Sequence, residues 1–82
     1  MKPRMSRTLM LRIMVGIVDK VMDENQREKR DTWQDITERE HLAHARVHLD
    51  APEPLSDEDL THALTRVTMA AVLRFRNEFP VI

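Results

Sequence analysis

All four histidines of this chain fall inside two short, related segments. Glu40-His41-Leu42-Ala43-His44-Ala45-Arg46-Val47-His48-Leu49 is echoed by Glu58-Asp59-Leu60-Thr61-His62-Ala63-Leu64, and each segment carries Leu-x-His-Ala. Imidazole changes charge near neutral pH and ligates metals, so the clustering points to proton transfer, metal holding or phosphate contact. Glu40 lies one turn before His44, and Asp59 lies three residues before His62, so each segment sets a carboxylate beside an imidazole. On a helix, His41, His44 and His48 fall within about 60° of one another and form a ridge beside Leu42, Ala45 and Leu49. Two such helices packed antiparallel would bring the His/acid pairs face to face, where they can hold a divalent metal or a phosphate.

The competing reading is structural, with the histidines at the core boundary bonded to nearby carboxylates or backbone. No specific signature decides between the two. The chain has no His-Glu-x-x-His and no cysteine, and Gly16 is its sole glycine, so it can build neither a familiar zinc motif nor a Gly-rich phosphate loop. Asp19, Asp23, Glu24 and Glu28 are close enough in sequence to bind magnesium, yet a solvated helix end has the same composition. Arg39, Arg46 and Arg66 are candidate phosphate contacts that local acids equally explain.

Eighty-two residues make a single domain, 1–82, that buries only roughly 60 to 65% of the surface of its unfolded form. Without cysteine, helix packing or oligomerisation must supply the extra stability, and the cysteine-free composition fits a cytoplasmic protein. Thirteen basic and fourteen acidic residues give a net charge of −1, which offers no global field for nucleic acid. Protonating the four histidines takes the charge to +3 and should favour polyanions below about pH 6.5. Arg12 and Asp19 interrupt the apolar run from Leu9 to Met22, which is shorter than the roughly 20 residues of a membrane span.

Three helices must position these groups. The first is expected over about 6–29, with Ser6 as its cap and apolar residues well beyond one face, so that it needs two neighbours. Gly16 in its middle marks a close helix crossing. Trp33 and Ile36 should dock the connection onto the core. Thr37-Glu38-Arg39-Glu40 reads as a capping box opening a second helix over 38–49, which ends before Pro52 and Pro54. Ser56-Asp57-Glu58-Asp59 opens a third over 57–76, also apolar on more than one face. The expected fold is all-α, a three-helix domain completed as a helical bundle by a homodimer, with residues 1–5 and 78–82 as flexible termini.

Trp33, His41-Leu42-x-His44-Ala45, the acidic link, and Glu58-Asp59-Leu60-x-His62-Ala63 followed by Leu64-Thr65-Arg66-Val67-Thr68-Met69-Ala70 together resemble a phage-associated domain. That domain is found at the N-terminus of dATP/dGTP diphosphohydrolases. The likeness spans about residues 30–75. It implies a small helical protein of a bacteriophage, acting in the host cytoplasm, with magnesium-dependent release of pyrophosphate from a purine deoxynucleotide. The resemblance maps its histidine positions onto His44, His48 and His62, with acidic support from Glu58 and Asp59. Joined to the chemistry of the residues themselves, His44 and His62 are the catalytic candidates, His41, His48, Arg46 and Arg66 the ligand contacts, and Glu40, Glu58 and Asp59 the holders of magnesium or another divalent metal. The alternative is a non-enzymatic helical module that binds a host or phage protein.

Overall fold

The computed structural model describes residues 4–25 and 32–79. Among them the chain is all-helical, with three α-helices and no strand: α1 (Arg7–Asn25), α2 (Glu38–Leu49) and α3 (Asp57–Phe75). A 3-10 turn at Thr32–Asp35 precedes α2, and another at Arg76–Glu78 follows α3.

Local chemistry sets the helix starts. The Ser6 hydroxyl accepts from the Leu9 N–H at 3.1 Å, and the Thr37 hydroxyl accepts from the Glu40 N–H at 3.1 Å. At α3 the Ser56 hydroxyl accepts from the Asp59 N–H and donates to its carboxylate, both at 3.0 Å. The expected reciprocal box is therefore altered. Aspartate is one methylene shorter than glutamate, and its carboxylate takes the serine hydroxyl instead of the cap's backbone N–H.

α2 and α3 form an antiparallel hairpin across the segment 50–56. Contacts His48–Asp59, His41–Arg66 and Glu38–Arg74 succeed one another away from the link, as an antiparallel register requires. Small side chains let the two axes approach. Ala45, Ala63 and Ala70 are buried with Met69, and the buried Thr65 donates its hydroxyl to the Thr61 carbonyl at 2.8 Å.

Among the described residues α1 lies against α3, and its backbone does not approach that of α2. Val21 is buried, with Met14, Ile17 and Val18 half-buried beside it, while Leu9, Met10, Leu11, Ile13 and Val15 are exposed. The helix expected to have two neighbours has one among the described residues.

Two further expectations change in detail. α1 is described as far as Asn25, and the rest of the expected first helix, 26–29, lies outside the described residues. α3 ends at Phe75, where the backbone tightens into the 3-10 turn. Among the described residues nothing crosses close to Gly16, where an added Cβ would meet no atom within 4 Å. Of the expected flexible termini, 1–3 and 80–82 lie outside the described residues; Arg4–Ser6 are non-helical and Glu78 belongs to the second 3-10 turn.

Candidate functional site

The last turn of α2 and the first turn of α3 meet next to the link, and this junction gathers the polar chemistry. His48 Nδ1–H donates to Asp59 Oδ1 at 2.8 Å, while Ser56 donates to the other carboxylate oxygen. Together these bonds hold the Asp59 carboxyl below its ordinary value, the His48 bond contributing most. Its place in the first turn of α3 adds the favourable end of the helix dipole. The His62 ring lies 5.1 Å from that of His48, centroid to centroid, tilted by 56°. Two imidazoles and one carboxylate, contributed by both echoed segments, thus share one corner.

His41 stands apart from that corner. It is 0% exposed, and its Nε2–H donates to the Trp33 carbonyl at 2.8 Å while Nδ1 accepts from Arg66 Nη1 at 3.2 Å. One nitrogen gives and the other receives, so the ring is held as the neutral Nε2–H tautomer. His41 ties the 3-10 turn to both hairpin helices. Arg66, the third-helix candidate for ligand contact, is engaged by this ring.

The remaining candidates are dispersed. The histidine ridge of α2 is graded in depth, from buried His41 through half-buried His48 to exposed His44, which forms no hydrogen bond among the described residues. Arg46 and Glu40 are exposed, and Glu40 contributes its backbone N–H to the Thr37 cap. Glu58 and His62 line a groove of about 700 Å³ between α1 and α3, opposite Lys20 and Glu24. Asp19, Asp23 and Glu24 are exposed along α1, and Glu28 lies outside the described residues. Among the described residues no three His, Cys, Asp or Glu side chains are grouped so as to hold a metal ion. No described helix is long and apolar enough to cross a membrane.

The sequence reading missed the clamp at the open end of the hairpin. Arg74 Nε donates to Glu38 Oε1 at 2.8 Å, and its Nη2 pairs with Oε2 to complete a bidentate contact. That contact holds the Glu38 carboxyl below its ordinary value and raises the Arg74 guanidinium. An antiparallel register was the available signal, because it sets the first turn of α2 beside the last turn of α3.

No family model, curated protein or solved structure matches this chain.

Proposed function

We propose that this chain is a non-enzymatic helical interaction module that docks through the exposed face of α1. The carrying observation is α1 itself, a nineteen-residue helix with one neighbour among the described residues and five large apolar side chains exposed around its first half. Exposed apolar residues scattered singly need no explanation, but a run of them along one helix marks a contact surface. His41 supports the reading from the other side, since its hydrogen bonds serve the scaffold. A photo-cross-linker introduced at Val15 tests it. Adducts should form there and not at a control site such as Arg39; absence of any adduct, with purified protein or in a cell extract, would remove the module reading.

The corner formed by His48, Asp59 and His62 favours one second reading. It is a His/acid surface that takes a phosphorylated ligand or a divalent metal, with purine deoxynucleotide hydrolysis as its catalytic form. In that reading His62 and Glu58 present themselves to the groove beside Lys20. Incubation with dATP or dGTP and magnesium should then release pyrophosphate, and unchanged histidine spectra on adding metal and nucleotide would end it.

A further inference from the structure

We propose that the occupant of the exposed α1 face is a second copy of this chain, the two α1 helices crossing antiparallel at Val15 and Gly16 with Arg12 of each copy against Asp19 of the other. The proposal rests on the interaction-module reading and gives it a partner.

The spacing of α1 is that of a helix–helix seam. Thr8, Leu11, Val15, Val18 and Met22 recur at alternating steps of three and four, the heptad pattern of paired helices. At 100° per residue, Thr8, Leu11, Val15 and Met22 fall within about 60° of one another, roughly a quarter turn from the side that meets α3. A helix can therefore use both surfaces at once. The resulting order, α3–α1–α1–α3, gives α1 a second neighbour that covers Leu11 and Val15.

Charge selects the direction. Arg12 and Asp19 each immediately follow a d position of the heptad and lie on the flank away from α3, and neither has an ion pair among the described residues. In an antiparallel pair equivalent flanks face each other, so a two-fold between Val15 and Gly16 sets Arg12 opposite Asp19 twice. A parallel pair would instead bring Arg7 of one copy against Arg12 of the other, which repels.

Sedimentation of the full chain across a concentration series tests the proposal. A dimer should form, and Arg12→Glu or Asp19→Arg should each weaken it by about ten- to thirtyfold, because two attractive pairs become repulsive. An equimolar mixture of the two single variants should recover the affinity, since each then complements the other at both contacts. Circular dichroism of each variant separates lost pairing from lost folding. A chain that stays monomeric, or variants that leave the dimer unchanged, would overturn the proposal. If the chain stays monomeric while a cross-linker at Val15 still captures another protein, the second copy falls and the module stands; if both experiments are silent, both fall.

Discussion

The Nε2 of His41 lies 2.8 Å from the carbonyl oxygen of Trp33, and this bond closes the connection before α2 onto the hairpin. The same ring accepts from Arg66 of α3, so one wholly buried side chain joins three elements. Its environment is that of a satisfied polar group in a small core, where an unmade bond is expensive.

His41→Leu should destabilise the chain by about 2 kcal/mol, because it leaves the Trp33 carbonyl with only the 3.4 Å contact from the Ile36 N–H and removes the acceptor that His41 offers Arg66. That corresponds to roughly 10 °C in the thermal midpoint for a domain of this size. His44→Leu, at an exposed position, should change stability by less than about 0.5 kcal/mol. Thermal unfolding of both variants checks the contrast, and equal losses would contradict it.

Asp59 makes acid stability readable. Its carboxyl is held below the ordinary value by His48 first and Ser56 second, so the folded state favours the ionised form. The sign follows from linkage. This contribution is fully present above the unfolded value of about 3.9 and is lost as pH falls through the lowered folded value. Glu38, held low by Arg74, acts in the same direction at the other end of the hairpin. Unfolding measured from pH 6 to pH 2 should show Asp59→Asn losing less stability on acidification than the native chain.

Much of this fold was legible before the structure. The bounds of α2 and the starts of α1 and α3 were accessible because Ser6, Thr37 and Ser56 announce them through short-range hydrogen bonds, and Pro52 and Pro54 bar any helical continuation past Leu49. The meeting of the two echoed segments followed from their short link. The depth of each histidine was not legible, since helical spacing gives an angle but not how far a neighbouring element covers it. His41 and His44 share a flank of α2, yet the Trp33 carbonyl and Arg66 enclose one and leave the other in solvent. The Glu38–Arg74 clamp spans thirty-six residues and depends on the pairing register of two helices, which composition does not encode.

The alanine seam between α2 and α3 should tolerate no growth. Ala63→Leu forces extra volume between close axes and should cost about 1–3 kcal/mol, read from chemical denaturation. A larger side chain at exposed Val47 is the control and should leave the midpoint in place.

Hydrogen exchange should separate α1 from the hairpin. Among the described residues of one chain α1 leans only on α3, so its amides should open at lower free energy than those of α2 and α3 in dilute protein. Raising the concentration should protect α1 most. Protection independent of concentration would place the burial of α1 within a single chain.

Disulfide trapping reads the central claim directly, because the native chain contains no cysteine to interfere. Thr8 and Met22 lie fourteen residues apart on α1, about 21 Å along the axis, and an antiparallel crossing at Val15 and Gly16 sets Thr8 of one copy beside Met22 of the other. A mixture of isotopically distinguished Thr8→Cys and Met22→Cys chains should oxidise to the mixed dimer, with Thr8→Cys alone giving little product. Rapid self-linking of Thr8→Cys, or no linking in the mixture, would contradict the antiparallel pair.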